Sequence, residues 1–232
     1  MIFCKDNLKT LYSLLRHPRY LLRSNTRVIK STFSGEKENA LTFKDSWITD
    51  TSIVFQGTGN SIVGNDCQLF NSSVFIRGTG HRLVLEPGVN LYNVRLKIIG
   101  TNNVIHIGQC TRLGGGSIVH GGNGLTVSIG TDCFLAEGLD IWSTDTHTIM
   151  KKGEKDVCMN SPKSIHIGNH VWIGKDVAIL KGVTIGDDAV VGMKSLVTKD
   201  IPEGSLNVGS PSRTIKTDIT WKSWNPTNED SH

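Results

Sequence analysis

The sequence predicts an all-β solenoid, in which short parallel strands stack as successive coils. Glycine supplies 25 of the 232 residues and charged residues only 20%, a balance typical of many turns and short strands. Glycine-led segments recur every 21 to 22 residues in the first half, and aliphatic residues recur every six residues in the second. Fixed periods of this kind are the signature of a repeat architecture.

Length and composition limit the alternatives. A chain of 232 residues fits one domain, and 38% hydrophobic residues can supply its core. No run approaches the ~20 apolar residues of a membrane span, and no signal peptide is recognised. The five cysteines are scattered without a CxxC pair, which predicts neither a disulfide framework nor a zinc ribbon and favours the cytoplasm.

Residues 1–46 are predicted to be a basic, partly helical N-terminal extension. Leucines at helical spacing mark a short helix that ends before Pro18. Residues 1–30 hold seven basic side chains and one acidic side chain, Asp6, which gives this segment a net charge of +6. The whole chain has a net charge of +4, so the remainder has a net charge of −2. Such a segment is expected to meet an anionic polymer or to cap the coils, with peripheral contact to a membrane surface as a further alternative.

Residues 47–213 are predicted to form the coils. The starts of the longer repeats are Gly57, Gly78, Gly100 and Gly122. The aliphatic residues of the six-residue repeat are Ile167, Ile173, Ile179, Ile185, Val191 and Val197. Neither a helix nor a plain strand has a period of six, so the pattern indicates a prism whose flat faces are each one short strand. Each aliphatic residue is expected to point inward.

Two segments interrupt or follow this rhythm. Residues 143–164 lack the six-residue repeat and contain the charged run from Lys151 to Asp156. They are predicted to be an excursion loop that leaves one coil and returns to the next. Residues 214–232 are predicted to be a C-terminal tail with a polar, frayed end.

The run from Ile165 to Gly192, IHIGNHVWIGKDVAILKGVTIGDDAVVG, resembles the hexapeptide-repeat acyltransferases. The resemblance extends over residues 50–213 and is closest to the capsular polysaccharide and sialic acid O-acetyltransferases. It implies a left-handed parallel β-helix of triangular section and a homotrimer. It also implies acetyl-CoA as co-substrate, bound in a groove between neighbouring subunits.

Three residues are the candidates for catalysis. His147 lies among small polar residues at the start of the excursion loop, where the resembling family places its catalytic base. Asp145 is a candidate for orienting the imidazole. Trp172, within Val-Trp-Ile-Gly, matches the tryptophan that the sialic acid polymer O-acetyltransferases pair with their histidine. The plain alternatives are a surface-loop histidine and a tryptophan at a subunit interface.

The resemblance also implies a set of cofactor-binding residues near the C-terminal coils. Glycine lets the backbone approach a pantetheine arm, and basic side chains can meet phosphate. The candidates are Trp172, Gly174, Gly192, Lys194, Lys199, Ser210 and Arg213. The remaining histidines lack the spacing of a zinc site, so no metal is expected, and no nucleic acid partner is indicated.

The sequence therefore predicts an acetyl-CoA-dependent O-acetyltransferase. The expected acceptor is a sugar hydroxyl of a bacterial surface polysaccharide, such as a capsule or its sialic acid units, with His147 as general base. Two alternatives remain open at this point. The acceptor could be a small molecule, namely a free sugar, an amino sugar or an antibiotic, or the chain could be a non-catalytic β-helix scaffold.

Overall fold

The computed structural model describes residues 20–154 and 157–223, and over these residues the chain is built from strands without a helix. The helix predicted before Pro18 and the polar end predicted after residue 224 lie outside the described residues. Within the described part, no helix is long and apolar enough to cross a membrane.

In the described part of the chain, twenty-six strands form three sheets, which are the three faces of a solenoid of about 8 turns. Face A contains β1 (Tyr20–Arg23), β4 (Ala40–Lys44), β7 (Ser61–Asn65), β10 (Arg82–Leu85), β13 (Val104–Ile107), β16 (Thr126–Ile129), β19 (Ile165–Ile167) and β22 (Thr184–Ile185). Face B contains β2 (Arg27–Ile29), β5 (Trp47–Thr49), β8 (Gln68–Phe70), β11 (Asn90–Tyr92), β14 (Arg112–Leu113), β17 (Phe134–Leu135), β20 (Trp172–Ile173), β23 (Val190–Val191), β25 (Leu206–Val208) and β26 (Arg213–Lys216). Face C contains β3 (Thr32–Ser34), β6 (Ser52–Gln56), β9 (Ser73–Thr79), β12 (Val94–Thr101), β15 (Gly116–Asn123), β18 (Leu139–Trp142), β21 (Ala178–Leu180) and β24 (Leu196–Val197).

The stacking of the coils confirms the predicted parallel solenoid. Apart from β26, the strands pair in parallel with their equivalents in neighbouring coils, as β10 does with β7 and β13. Side chains alternate along each strand, so one set points into the prism and the other faces outward. The six predicted inward aliphatic residues of the second half are all at most 3% exposed. Their burial forms the core at the C-terminal coils.

A polar ladder, buried at the corner between faces C and A, accompanies this apolar core. It is made of Asn39, Asn60, His81 and Asn103, which occupy equivalent positions in successive coils and are all buried. Asn60 Nδ2 donates to Asn39 Oδ1 at 2.9 Å, and the backbone N–H of His81 donates to Asn60 Oδ1 at 2.9 Å. The N–H of Asn103 then donates to His81 Nδ1 at 3.2 Å. This corner ladder satisfies backbone groups that the wide turns would leave buried and unpaired.

The coils begin earlier than predicted, at Tyr20 rather than at residue 47. Leu22, Val28 and Phe33 are buried as the inward residues of the first coil. β1 pairs with β4 over four residues, which places this coil directly on the second. The inward residues of this segment are separated by six and then five positions, so the period is broken and the sequence pattern does not reveal it.

The C-terminal tail also departs from the predicted boundary at residue 213. β26 turns back and pairs antiparallel with β25, the only antiparallel strand pair within the described ranges. The backbone N–H of Ile219 then donates to Gly204 O at 2.9 Å. Residues 213–223 therefore fold back along the last coils, because the open end of the solenoid leaves β25 with an unpaired edge.

Candidate active site

His147 lies in the excursion loop between β18 and β19, as the sequence predicts. Its side chain is exposed, and Nδ1 lies 3.2 Å from Thr146 Oγ1. The loop arches over a cavity of about 410 Å³ between itself and the coils, and His147 lines this cavity. The Nε2 atom forms no hydrogen bond with any of the described residues, so this nitrogen is open to a substrate.

A group of three side chains, which we call the loop clasp, holds the loop on both sides of His147. Asn160 Nδ2 donates to Asp145 Oδ2 at 2.7 Å and to the backbone oxygen of His147 at 2.8 Å. The N–H of Ile149 donates to Asn160 Oδ1 at 2.6 Å. Lys181, which follows β21, donates to the Asp145 carboxylate and to Asn160 O, the latter at 2.9 Å. Asp145, Asn160 and Lys181 thus anchor the loop to the solenoid.

The clasp gives Asp145 a different set of partners from the one predicted. The sequence suggests that its carboxylate orients the His147 imidazole, but the carboxylate binds Lys181 and Asn160 instead. The hydrogen bond from Lys181, followed by that from Asn160, holds the pKa of Asp145 below its ordinary value. Asp145 therefore acts on the position of the loop backbone rather than on the imidazole.

A buried histidine supports the start of the loop from below. His120 is fully buried, and its Nδ1 lies 2.7 Å from Oγ of Ser143, where the loop begins. Its Nε2 lies 3.0 Å from Leu125 O. Burial lowers the pKa of His120, so the neutral ring is favoured and can serve as both donor and acceptor. Sequence reasoning missed this residue because its partner lies one coil away.

The far wall of the cavity comes from the ends of the long face C strands β9, β12 and β15. It contributes two exposed basic side chains, Arg77 and Lys97. The remaining wall residues on these strands are Ile99, Gly100, Gly121, Gly122 and Asn123. No motif in the sequence distinguishes Arg77 or Lys97 from other basic residues. Alternation along a strand predicts only that they face outward, and says nothing about which loop returns over them.

Trp172 lies in a second cavity on face B. This cavity of about 290 Å³, which we call the aromatic slot, is lined by Phe134, Trp172, Trp221 and two adjoining tail residues. Trp221 comes from the returning tail. Its ring stacks on His170 at 4.4 Å between centroids, and its Nε1 donates to His170 O at 2.6 Å. The rings of Trp172 and Trp221 are 6.0 Å apart.

A single chain therefore does not bring His147 and Trp172 to one cavity. Trp172 is absent from the lining of the cavity under the loop, and His147 is absent from the aromatic slot. Sequence reasoning also missed Trp221, which belongs to the segment predicted to be a tail. The one available indication was its residue type, since a tryptophan outside the repeats is expected to be buried against another part of the protein.

The other cofactor candidates are distributed around the last coils. A Cβ placed on Gly174 would lie 2.7 Å from Met193 N, and one on Gly192 would lie 2.7 Å from Val208 Cγ1. The stacking of the next coil therefore already requires both glycines. Four further candidates, all exposed, are Lys194, Lys199, Ser210 and Arg213. None of these six residues lines the cavity under the loop or the aromatic slot.

No group of three or more histidine, cysteine or acidic side chains is arranged to hold a metal ion within residues 20–154 and 157–223. The histidines are instead engaged in separate contacts. His106 Nε2 lies 3.1 Å from Glu86 Oε1, and His166 Nδ1 lies 2.8 Å from Ser128 Oγ. His170 Nδ1 lies 2.7 Å from Asp188 Oδ1.

The chain is similar to known proteins both in sequence and in structure. Residues 164–199 match the family described as Bacterial transferase hexapeptide (six repeats). Two solved structures cover the chain broadly: the polySia-specific acetyltransferase NeuO and the polysialic acid O-acetyltransferase OatWY. They are 27% identical, with TM-scores of 0.68 and 0.67, over 88% of this chain and 91% and 93% of theirs. The chain is similar to these two acetyltransferases in sequence and in fold, and residues 164–199 match the hexapeptide repeat.

Curated relatives of the chain are also named acetyltransferases. The polysialic acid O-acetyltransferase of Neisseria meningitidis is 34% identical over 135 residues, which are 57% of this chain and 60% of that protein. The galactoside O-acetyltransferase of Escherichia coli K12 is 43% identical over 94 residues, 39% of this chain and 44% of that protein. The chain thus spans less than two thirds of the length of each of these relatives.

Proposed function

We propose that this protein is an acetyl-CoA-dependent O-acetyltransferase that acts on a sugar hydroxyl of a bacterial surface polysaccharide. The observation that carries the proposal is His147, whose Nε2 is open beside a cavity of about 410 Å³. The names of two relatives, a polysialic acid O-acetyltransferase and a galactoside O-acetyltransferase, support the transfer of an acetyl group and a carbohydrate acceptor. The acceptor class includes capsular polymers and their sialic acid units.

The proposed step is a direct transfer with His147 as general base. Nε2 of His147 removes the proton of the sugar hydroxyl while that oxygen attacks the carbonyl carbon of the thioester. The tetrahedral intermediate collapses, the bond from carbon to sulfur breaks, and the thiolate of CoA takes the proton back from the imidazolium. Nδ1 lies 3.2 Å from Thr146 Oγ1, and in the tautomer whose Nδ1–H donates to this hydroxyl, Nε2 has no proton and can act as the base.

The donor is proposed to bind across two subunits of a homotrimer. Within one chain, the base and Trp172 line separate cavities. A neighbouring copy that presented its aromatic slot and its last coils to the loop would bring the two together. Trp172, with the exposed Lys194, Lys199 and Arg213 around the end of the solenoid, would then contact the pantetheine arm and phosphates of acetyl-CoA.

A second acceptor class is a small free sugar. The relationship to the galactoside O-acetyltransferase favours it, and the volume of the cavity is within the range of small-ligand pockets. A polymer and a free sugar differ in how far the acceptor extends beyond His147. Both classes use the same base and the same donor.

The test measures thiol release from acetyl-CoA with and without sialic-acid-containing and neutral oligosaccharides. We expect acceptor-dependent release by the wild-type protein, and a fall in kcat of at least about 100-fold in His147→Ala, because a general base contributes about 10²- to 10⁴-fold. His166→Ala is the matched control, since His166 is an exposed histidine of face A outside the cavity. Near-wild-type turnover by His147→Ala would overturn the assignment of the base.

A further inference from the structure

The cavity beneath the loop has an uneven charge. Arg77 and Lys97 are the basic side chains of its wall, and no aspartate or glutamate lines it among the described residues. Within residues 20–154 and 157–223, six ion pairs form, and neither Arg77 nor Lys97 takes part in any of them. Two positive charges therefore face the space beside His147 without a negative partner from the described chain.

The positions of the two charges follow from the strand register. Arg77 of β9 pairs with Ile99 of β12, and Lys97 is two residues before Ile99 on the same outward face. With strands ~4.8 Å apart and ~3.3 Å per residue, the two Cα atoms are about 8 Å from one another. Long side chains from these positions can converge on one anionic group, and both are exposed enough to reach it.

The floor beside these charges is formed by backbone. Gly121 and Gly122 lie there at the end of β15, and Pro162 of the returning loop closes the far side. A Cβ on Gly121 would lie 2.8 Å from Thr144 Cγ2, and one on Gly122 would lie 2.6 Å from Leu125 Cδ1 and 3.2 Å from Pro162 Cβ. The glycines therefore let Thr144 and Pro162 pack closely on the end of β15, and the cavity of about 410 Å³ has His147 and the two cations in its lining.

We propose that Arg77 and Lys97 form an anion subsite that makes the transferase selective for acceptor sugars carrying a carboxylate. The inference rests on the proposed function, since it assigns the acceptor to the cavity that contains the base. Arginine presents a planar fork of donors that suits a carboxylate, and lysine adds a point charge. Together they would fix the sugar so that one of its hydroxyl groups, rather than its carboxylate, meets Nε2 of His147.

The experiment compares two probes of nearly the same shape: a short oligomer of sialic acid and the same oligomer with its carboxylates converted to methyl esters. The wild-type protein is expected to show a lower acceptor KM for the acid than for the ester. Arg77→Gln and Lys97→Gln should each raise the KM for the acid by about 10-fold, the usual value of one hydrogen bond to a charged group. The two variants should change the KM for the ester far less.

Arg95→Gln is the matched control. Arg95 is exposed on the same strand as Lys97, two residues away, and does not line the cavity. Its loss removes a positive charge of the same face, so a general effect of protein charge on an anionic polymer would appear in it as well. We expect its acceptor KM for the acid to remain at the wild-type value at physiological salt.

Two results would overturn the subsite: an equal rise in KM for acid and ester, or an effect of Arg95→Gln as large as that of Arg77→Gln. Calorimetric titration of the acid oligomer into the protein without acetyl-CoA separates this inference from the proposed function. Binding that is weakened by Arg77→Gln, together with no transfer to any acceptor, would retain the subsite and reject the transferase. Transfer with the same acceptor KM for the acid and for the ester would retain the proposed transferase function and reject the anion subsite.

Discussion

The coils before and after the excursion loop differ in length, and the difference explains where the candidate site is built. Before the loop, Arg82 pairs with Val104, 22 residues later. After the loop, His166 pairs with Thr184, 18 residues later. The additional residues of the early coils extend face C, where β12 and β15 each have 8 residues while β21 has 3.

The shorter and the longer coils have different roles. The 18-residue coils contain only what a prism requires, which is one inward aliphatic residue per short strand. In the longer coils, the extension forms a ledge that holds Arg77, Gly100, Gly121 and Gly122 and becomes the wall of the cavity. The corner ladder lies beneath this ledge and satisfies its backbone. A site thus arises where the repeat is enlarged, and the strict repeat supplies the scaffold.

The largest expected effect comes from breaking the ledge at Gly100. Its φ is +115°, and an added Cβ would lie 1.9 Å from Gly122 O in the next coil. Gly100→Ala should lower the free energy of unfolding by about 3 kcal/mol or more, the combined scale of backbone strain and overpacking. Thermal and urea unfolding measure this loss.

Gly124→Ala is the control for that variant. Gly124 also has a positive φ, +68°, but an added Cβ would meet nothing within 4 Å. Only the cost of the left-handed backbone applies, about 1 kcal/mol. If the two alanine variants were equally destabilised, the ledge would not be held by close stacking of the coils.

A smaller effect is expected from releasing the loop clasp. Lys181→Met removes the cation that binds both the Asp145 carboxylate and Asn160 O. Because the loop then holds His147 less accurately, kcat should fall by about 10-fold, the scale seen when an outer contact that orients a reactive group is lost. Lys181→Arg should recover part of this loss, which a purely global effect on folding would not predict.

Lys175→Met tests whether any surface ion pair has the same effect. Lys175 donates to Glu137 at 2.7 Å on the surface of the coils, away from the cavity. The turnover of Lys175→Met should equal that of the wild type.

Because Lys181 and Asn160 lower the pKa of Asp145, the loop clasp should persist at any pH above the ordinary pKa of 3.8 and weaken only as the pH falls through the lowered pKa. Activity near neutral pH should therefore not depend on Asp145 protonation.

The smallest effect concerns the corner ladder. Burial lowers the pKa of His81 from its ordinary value of 6.5. The unfolded chain therefore takes up a proton below pH 6.5 that the folded chain does not, and folding stability falls as the pH decreases from there. In His81→Asn, which carries the residue of the neighbouring ladder positions, this part of the pH dependence is absent.

The measurement is the melting temperature of both proteins between pH 8 and about pH 5. The wild type should lose stability relative to His81→Asn on acidification, by on the order of 2 °C. His120 is common to both proteins, and its pKa is lowered mainly by burial and to a smaller extent by the charge of His81, so the larger part of its contribution cancels in the difference. Parallel curves for the two proteins would show that His81 does not titrate on unfolding in this range.

Much of the fold and one part of the site follow from the sequence pattern. The period of six identifies the inward residues from Ile167 to Val197, and the break in that period locates the loop that contains His147. The sequence pattern does not predict the first coil, because the spacing between Leu22, Val28 and Phe33 is uneven. The predicted contact between Asp145 and the His147 imidazole is not formed, because the Asp145 carboxylate binds Lys181 and Asn160 instead.

The pattern of amino acids specifies which residues face the core, because a strand alternates its side chains and each coil repeats the last. The same pattern shows that the loop begins near His147. Which outward side chains meet depends on how the chain folds back on itself. Lys181 reaches Asp145 across 36 residues, Trp221 stacks on His170 across 51, and Arg77 faces a loop that follows three coils later. A period specifies the direction of a side chain, whereas its partner depends on the path of the loop and tail that return over it.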